Sequence, residues 1–257
     1  MGAGARAAGK PFPGPAASPA GSAPGTAEAR RRLRGLARAA ARMNAEAVHE
    51  QVTDAIKSYG LVPSWEEVLS PALRAAGRKW KSSEDQYVEI EHFLSWQIST
   101  ALRHAYADFT LQRRPADTRP ALLACLPGEQ HTLPLEALAA ALAERGQRVL
   151  MLGSSVPTEA IEATVLRINP ACVALWSQTR TTADVPLARH IAAARWGING
   201  ARIRSRVLVC GPGWGLRTEP ELVRPHGLGD AVRTIGSASR LDADAVPSPE
   251  QSHQHSN

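Results

Sequence analysis

Apolar residues recur at helical spacing through the first part of the chain. Between residues 28 and 112 they form stripes three and four positions apart, first Leu33, Leu36 and Ala40, then Val48 and Val52. Two tetrapeptides typical of helix starts, SWEE at 64–67 and SEDQ at 83–86, predict two further helices. The first of these helices is expected to be kinked at Pro71. The pattern therefore predicts a small four-helix bundle.

The period changes after residue 117. Short apolar runs, ALLACL, RVLMLG, ACVALWS and RVLVCG, alternate with helical segments, and DAVRTI at 230–235 is a candidate last strand. Near-continuous apolar strands separated by helices are typical of a parallel sheet covered on both faces. The predicted fold class is α/β: an N-terminal four-helix bundle followed by a flavodoxin-like (Rossmann-like) doubly wound parallel sheet.

Composition indicates where the folded part begins and ends. Residues 1–27 are almost entirely Gly, Ala, Pro and Ser, and residues 242–257 are polar and lack any apolar period. Both segments have too little apolar surface to order themselves. We therefore predict a disordered leader at 1–27, a helical bundle at 28–112, an α/β domain at 118–241 and a disordered tail at 242–257.

Charge and cysteine content narrow the class of protein. The net charge is +6, and one short segment is rich in arginine: Arg30, Arg31, Arg32, Arg34, Arg38 and Arg42. Such a cluster can contact nucleic acid, but no helix-turn-helix or zinc-finger pattern accompanies it, so a solvated helix face is the favoured interpretation. The three cysteines lie in apolar runs, which predicts buried reduced thiols. Neither a signal core nor a membrane-length apolar run occurs, and we expect a cytoplasmic protein.

Polar and small residues follow each predicted strand. In open parallel sheets, ligands bind beyond the carboxyl ends of the strands. The residues placed there are His131 after the first strand, Ser154 and Ser155 after the second, Ser177 and Thr179 after the third, and Gly211 and Gly213 after the fourth. From position alone, His131 is either an ordinary surface residue or a ligand. The phosphate-binding pattern GxGxxG is absent, which disfavours a dinucleotide enzyme.

The long fourth helix of the bundle carries two distinct stripes. At about 100° per residue, Leu94 and Ile98 belong to the core stripe, whereas Glu91, His92 and Ser95 lie on a second arc bordered by aromatic residues. Small serines beside an acid and a histidine suit the close approach of a polar, planar ligand. A mixed solvent-exposed face is the alternative interpretation.

The loop motifs EQHTLP, LGSSVP, LWSQT and CGPGW together resemble the cobalamin-binding domain in its base-off, histidine-on form. The resemblance implies that His131 is the lower axial ligand of cobalt and Glu129 its acidic partner. It also implies that the nucleotide tail of the cofactor lies near Ser154, Ser155, Val156, Ser177, Thr179, Gly211 and Gly213. The sequence departs from the family pattern at Pro134, where a glycine is usual, and at Pro212, which separates a Gly-Gly pair.

The bundle motif WKSSEDQYVEIEH resembles the Trp-x9-Glu-His motif of MerR-type cobalamin photoreceptors, with a spacer one residue longer. The resemblance implies that Trp80, Glu91 and His92 cap the upper face of adenosylcobalamin, a cobalt corrinoid. It further implies a light sensor that regulates transcription and is not an enzyme, in which cleavage of the cobalt–carbon bond changes the oligomeric state. We then expect a homo-oligomer that reaches DNA only through a missing N-terminal module or a partner protein.

Two other classes of protein remain open. A corrinoid methyl carrier of a methyltransferase system also joins a helical bundle to this α/β domain, but its upper face must open to methyl donors and acceptors. A cofactor-free interaction module derived from the same fold is favoured by Pro134 and Pro212.

Overall fold

The computed structural model describes residues 23–81, 88–112, 118–194, 204–215 and 219–245, except for the side chains of 79–81 and 241–245. The helix start predicted at SEDQ, most of the predicted leader and most of the predicted tail lie outside these ranges. The first helix begins at Thr26 and the last helix ends at Ala245, so each of them extends slightly beyond the boundary predicted from composition.

The N-terminal part is helical, as predicted. Its helices are α1 Thr26–Ala41, α2 Ala45–Tyr59, α3 Leu61–Ser64, α4 Ser70–Lys81 and α5 Val88–Gln112. The start of α2 is capped by Asn44, whose Oδ1 accepts a hydrogen bond of 2.9 Å from the backbone N–H of Ala47. Gly60 ends α2 with a φ of 80°, a conformation that glycine adopts without steric cost.

The helix predicted to begin at Ser64 begins three residues earlier. Ser64 is fully buried within the helical segment, and the backbone N–H of Leu61 donates to Glu144 Oε1 at 3.1 Å. A carboxylate from the α/β part therefore does the capping that the sequence assigned to a local serine. A π-helical turn at Trp65–Leu69 joins α3 to α4, so the irregularity expected at Pro71 lies one turn earlier.

Five parallel strands form a single sheet in the order β2-β1-β3-β4-β5. The strands are β1 Ala121–Cys125, β2 Val149–Gly153, β3 Cys172–Trp176, β4 Arg206–Cys210 and β5 Leu222–Val223. The connecting and terminal helices are α6 Leu133–Ala143, α7 Thr158–Ile168, α8 Val185–Ala193 and α9 Leu228–Ala245. This order is the doubly wound, flavodoxin-like arrangement that the alternating pattern predicted.

The prediction of a last strand at 230–235 is wrong. This segment lies in α9, and the fifth strand is the shorter Leu222–Val223. The reason is visible in the burial: Ala231, Val232 and Ile235 are all buried, and a spacing of one and four positions places them on one side of a helix. A half-buried strand would instead alternate buried and exposed residues.

Two apolar layers cover the sheet, and the bundle is continuous with one of them. Leu123 and Cys125 of β1 face the layer that contains α6 and α9, and the same cluster extends to Leu94, Ile98 and Leu102 of the bundle. The opposite layer joins the sheet to α7 and α8. The bundle therefore packs on the α6 and α9 side, and the two predicted domains share one core.

The cysteines lie in the sheet, as predicted. Cys125, Cys172 and Cys210 are buried, and burial raises the pKa of Cys125 and Cys210 to about 12. The thiols of Cys125 and Cys210 are therefore protonated at neutral pH and serve as small apolar groups. In the ranges described, no helix is long and apolar enough to cross a membrane.

Candidate functional site

The loop between β1 and α6 holds a buried carboxylate beneath an exposed imidazole. Glu129 is 2% exposed, and its Oε1 lies 2.6 Å from His131 Nδ1 and accepts the His131 backbone N–H at 2.9 Å. The His131 side chain is 62% exposed. The acidic residue and the histidine of the predicted motif are thus in direct contact at the carboxyl end of the sheet.

The second oxygen of Glu129 is held by the loop that follows β3. Glu129 Oε2 accepts the backbone N–H of Gln178 at 2.6 Å and the hydroxyl of Thr182 at 2.9 Å. Burial raises the pKa of this carboxyl, but the hydrogen bonds from His131, Gln178 and Thr182 outweigh it and hold the pKa at about 2. Glu129 is therefore an anion over the whole physiological range.

An ionised Glu129 determines which nitrogen of His131 is available to a ligand. The carboxylate can only accept hydrogen bonds, so Nδ1 carries the proton in the neutral imidazole. The lone pair of Nε2 is then available to a ligand. The ring is exposed, and its contact with Glu129 fixes its orientation. This arrangement, a carboxylate behind a histidine, is the one that orients imidazole ligands toward metals in proteins.

The loop after β2 supports the histidine loop from the side. Ser155 Oγ accepts the backbone N–H of Gly128 at 3.0 Å, and the Ser155 backbone N–H donates to the Glu129 carbonyl at 2.8 Å. Ser155 has a φ of 47°, which these two bonds stabilise. Val156 is buried and donates its N–H to Cys125 O, whereas Ser154 is exposed.

The loops after β3 and β4 pack closely on one another. The hydroxyl of Ser177 is fully buried and donates to the Thr179 carbonyl at 2.7 Å. A Cβ on Gly213 would lie 2.3 Å from Thr179 O, and one on Gly211 would lie 2.3 Å from Ser177 O. In this structure the two glycines thus serve close packing between the loops, and the space beside them is filled by Ser177 and Thr179.

A groove of about 530 Å³ lies farther along the sheet, between α8 and the loops around β4 and β5. Of the site residues predicted from the sequence, Gly213 is the one that lines it. The groove is therefore separate from the Glu129–His131 pair.

A second buried carboxylate joins the α/β part to the bundle. Glu136, on the first turns of α6, is 4% exposed. Its oxygens accept hydrogen bonds from Ser99 Oγ at 2.6 Å, from Arg103 Nη2 at 2.8 Å and from Thr132 Oγ1 at 2.9 Å. The bond and charge of Glu136 raise the pKa of Arg103. Because Thr132 follows His131, this network links the histidine loop to α5.

Helix α5 lies beside α6 and runs in the same direction. Ser99 and Arg103 meet the start of α6 at Glu136, while Tyr106 and Thr110 share a cavity of about 120 Å³ with Ala143, the last residue of α6, and with the residues that follow it. The first turns of α5 therefore extend beyond the start of α6, on the side of the histidine loop. At 1.5 Å per residue, Glu91 lies roughly 12 Å beyond Ser99 along the helix axis.

The predicted bundle residues lie on this projecting part of α5 or next to it. Glu91 is half-buried and His92 is exposed. Trp80 belongs to the last turn of α4, but its side chain lies outside the described residues. The core stripe predicted for α5 is confirmed: Leu94 and Ile98 are buried.

Pro134 is accommodated without distortion at the second position of α6. The first residues of a helix have no intrahelical acceptor for their N–H groups, so proline costs nothing there. The departure from the family pattern at this position is therefore compatible with the helix that follows the histidine loop.

Sequence reasoning missed Glu136, Arg103 and Thr182. Glu136 is the single charged residue in the run LPLEALAAALA, and an isolated acid in an otherwise apolar helix is a signal that could have been found. Thr182 carries no such signal, because it reaches Glu129 only through the path of the loop that follows β3.

In the described ranges, no group of three or more His, Cys, Asp or Glu side chains is arranged to hold a metal ion.

Two family models match the chain, and both are described as a B12 binding domain. One matches residues 119–240, the α/β part, and the other matches residues 32–106, the helical bundle. The chain therefore contains one region that matches each of these two B12 binding domain models.

Two transcriptional repressors from Myxococcus xanthus are homologous to this chain. The HTH-type transcriptional repressor CarH is 29% identical over 173 residues, which cover 63% of this chain and 55% of the repressor. The HTH-type transcriptional repressor CarA is 36% identical over 107 residues, which cover 42% of this chain and 34% of the repressor. The chain thus spans about half or less of the length of these relatives.

Among solved structures, the monomethylamine corrinoid protein of Methanosarcina barkeri has the same fold. The match has a TM-score of 0.56 at 12% identity and covers 84% of this chain and 99% of that protein. At this identity the likeness concerns the fold alone, and it agrees with a helical bundle attached to a parallel sheet.

Proposed function

We propose that this cobalamin-binding protein is the sensory part of an adenosylcobalamin-dependent photoreceptor that regulates transcription in the cytoplasm. The observation that carries the proposal is the Glu129–His131 pair, which lies at the carboxyl end of the sheet below the first turns of α5. The homology to two HTH-type repressors supports a regulatory role in place of a catalytic one.

His131 would hold the cobalt from below through Nε2. Glu129 keeps the proton on Nδ1 and fixes the plane of the ring, and it is itself fixed by Gln178 and Thr182. Such a carboxylate strengthens an imidazole as a ligand because it favours the positive charge that develops on the ring. The residues present thus fit a histidine that would hold the cobalt of a corrinoid.

Trp80, Glu91 and His92 would cover the face of the corrinoid that is turned away from His131. The proposal is supported by the position of Glu91 and His92, which belong to the part of α5 that projects past the start of α6, toward the histidine loop. When bound, adenosylcobalamin supplies a cobalt–carbon bond that light breaks. The residues on α4 and α5 would bind the adenosyl group and would lose that contact when it leaves.

The Glu136 network would carry this change to the rest of the protein. Ser99 and Arg103 hold α5 against α6, and Thr132 joins the same carboxylate to the histidine loop. A change of contacts at the start of α5 therefore reaches the interface between bundle and sheet. We propose that the protein is a homo-oligomer whose assembly changes with this packing, and that sequence-specific DNA binding comes from a further module or a partner protein.

A corrinoid methyl carrier is the second candidate. It is favoured by the fold likeness to the monomethylamine corrinoid protein. The two candidates differ in the cofactor that they would retain: an adenosyl corrinoid for the sensor and a methyl corrinoid for the carrier.

The close packing of Ser177 and Thr179 on Gly211 and Gly213 favours a third candidate, a cofactor-free interaction module.

The test is a visible absorption spectrum of the protein mixed with adenosylcobalamin in the dark, desalted and then illuminated with green light. We expect retained colour, a spectral change on illumination and a changed elution volume in size-exclusion chromatography. His131→Ala should alter the dark spectrum because the imidazole that would hold the cobalt is lost, whereas His226→Ala, at an exposed histidine before α9, should not.

Each other outcome selects a different function. Colourless protein after desalting would overturn the sensor and favour the cofactor-free module. Retention of methylcobalamin with no retention of adenosylcobalamin would favour the carrier. Retained adenosylcobalamin with an unchanged spectrum in His131→Ala would show that the cobalt ligand is another group.

A further inference from the structure

Helix α1 presents a face made of arginine and alanine. Its buried side consists of Ala29, Leu36, Ala39 and Ala40, which are all at most 6% exposed. At 100° per residue, the side directly opposite carries exposed arginines spaced four residues apart, the last of them directly after the end of the helix, and we call these the basic face: Arg30, Arg34, Arg38 and Arg42. Ala27 and Ala41 lie within the same arc and leave the guanidinium groups accessible, and Arg31, whose side chain is 75% exposed, also lies there.

The charge of the basic face is not neutralised by neighbouring acids. Glu28 is the one acid of α1, and its carboxylate is bonded to Arg31 and Arg32 and accepts a hydrogen bond from the hydroxyl of Tyr59 on α2. Within the described part of the chain, no side-chain hydrogen bond or ion pair joins the guanidinium groups of the basic face to another residue. The neighbouring helix α2 exposes three acids, Glu46, Glu50 and Asp54, and none of them pairs with it. Helix α4, which packs on α1, adds the exposed Arg74 and Arg78.

The spacing of the basic face suits a regular polyanion. Four residues of an α-helix rise about 6 Å, so the four arginines form a row roughly 18 Å long. A guanidinium group binds phosphate with two parallel N–H···O bonds, and a row of such groups matches the repeating phosphates of a nucleic acid.

The burial of α1 argues against a membrane surface as the partner. A basic amphipathic helix binds membranes by inserting its apolar side among the lipids. Here that side is the core of the bundle, because Leu36, Ala39 and Ala40 are at most 1% exposed. The helix can offer charge to a partner but no apolar surface.

We infer that the basic face of α1 binds the phosphate backbone of duplex DNA independently of sequence. The choice of DNA as the polyanion rests on the proposed role in transcription. The inference amends the interpretation of this arginine cluster as a merely solvated face. It also adds a direct contact to the expectation that DNA is reached only through another module or a partner. Contacts of this kind position a regulator on DNA and raise its affinity but carry no sequence information.

The test measures binding of the full chain to a fluorescent DNA duplex of scrambled sequence by anisotropy, at several salt concentrations. Each phosphate contact contributes about 0.9 to the slope of log K against log salt. R34Q/R38Q/R42Q should therefore make the slope about two to three units shallower and weaken binding at low salt roughly tenfold or more. R34K/R38K/R42K keeps the charges and should keep most of the slope.

A matched control removes the same number of charges elsewhere. Arg167, Arg204 and Arg206 are exposed on the α/β part, and R167Q/R204Q/R206Q lowers the net charge of +6 by the same amount. We expect this variant to bind DNA nearly as the parent does. Circular dichroism of both glutamine variants checks that the bundle stays helical, which glutamine favours.

Several results would overturn the inference. It fails if the parent chain does not bind the duplex at low salt, or if the control variant loses as much affinity and slope as the basic-face variant. It also fails if the variants differ on vesicles of anionic lipid but not on DNA. Cobalamin retention, measured on the same preparations, reports on the proposed sensor separately, so either result can fail without the other.

Discussion

Glu129 is the residue on which the geometry of the site depends. Its two oxygens accept four hydrogen bonds from three residues: from the backbone and the ring of His131, from the Gln178 backbone and from the Thr182 hydroxyl. A buried carboxylate without such partners would be neutral or strongly destabilising. With them, it is anionic and joins the loop after β1 to the loop after β3.

The low pKa of Glu129 predicts a loss of stability in acid. Its folded-state pKa of about 2 lies below the ordinary value of 4.5, so its contribution is complete above pH 4.5 and is lost as the pH falls toward 2. The contribution is roughly 3 kcal/mol at neutral pH. We expect the melting temperature of the parent to fall more steeply between these pH values than that of Glu129→Gln.

At neutral pH, Glu129→Gln should itself lower the free energy of unfolding by about 1–3 kcal/mol, because an amide N–H then faces donors. The control is Glu221→Gln, an exposed residue before β5, which should change neither stability nor its pH dependence. Equal acid sensitivity in the parent and in Glu129→Gln would show that the Glu129 carboxylate does not make this contribution to stability.

Helix α6 is the element that connects the two halves of the molecule. Its N-terminal turn follows the histidine loop, its acid Glu136 holds α5, and the residue after its end, Glu144, caps α3. One face of α6 packs on the sheet while another packs on the bundle, so almost every residue in it is buried. This accounts for a helix with no exposed polar side in its middle turns.

Glu136→Gln should loosen α5 from α6. The variant keeps the size of the side chain but replaces one acceptor oxygen with a donor that faces Ser99, Arg103 or Thr132. We expect a loss of about 1–2 kcal/mol in the free energy of unfolding and faster amide exchange in α5. Ser99→Ala removes one of the three bonds and should have a smaller effect on both. Unchanged exchange in Glu136→Gln would contradict a role of this network in holding the bundle.

At the scale of the whole molecule, the bundle and the sheet share one hydrophobic core. The core cluster that covers one face of the sheet contains residues from α1 to α5, and hydrogen bonds from Leu61 to Glu144 and from Gly229 to Glu66 also cross between the two parts. Separate domains would have separate cores. A change of packing at the start of α5 can therefore reach the sheet through direct contacts.

A single substitution in the bundle should therefore destabilise the entire protein. Leu102 is fully buried, and Leu102→Ala should cost about 2–5 kcal/mol. In calorimetry we expect one transition in the parent and one transition at lower temperature in the variant. Leu166→Ala, at a residue that is 60% exposed on α7, is the control and should change the transition temperature little. Two transitions, of which only the first moves, would show that the halves unfold independently.

The sequence by itself determined the elements whose pattern is local. The apolar runs at Ala121–Cys125 and Cys172–Trp176 are buried strands, and the stripe through Leu94 and Ile98 is the core of α5. Periodicity of this kind depends only on neighbouring residues, because burying one side of a helix or a strand requires apolar residues at a regular spacing. The histidine and its acidic partner were also visible, because the motif EQHTLP resembles that of the cobalamin-binding domain.

The tertiary structure decided every feature that depends on residues far apart in the chain. The sequence predicted Ser64 as a helix cap, but in the structure Glu144 caps that helix. Glu129 is bonded by the loop after β3, and Glu136 is bonded by α5. A buried carboxylate is tolerated only where donors surround it, and those donors are brought together by the fold rather than by sequence spacing. For the same reason, the charge of α1 could be counted in the sequence, but only the packing of the bundle showed that four arginines share one open face.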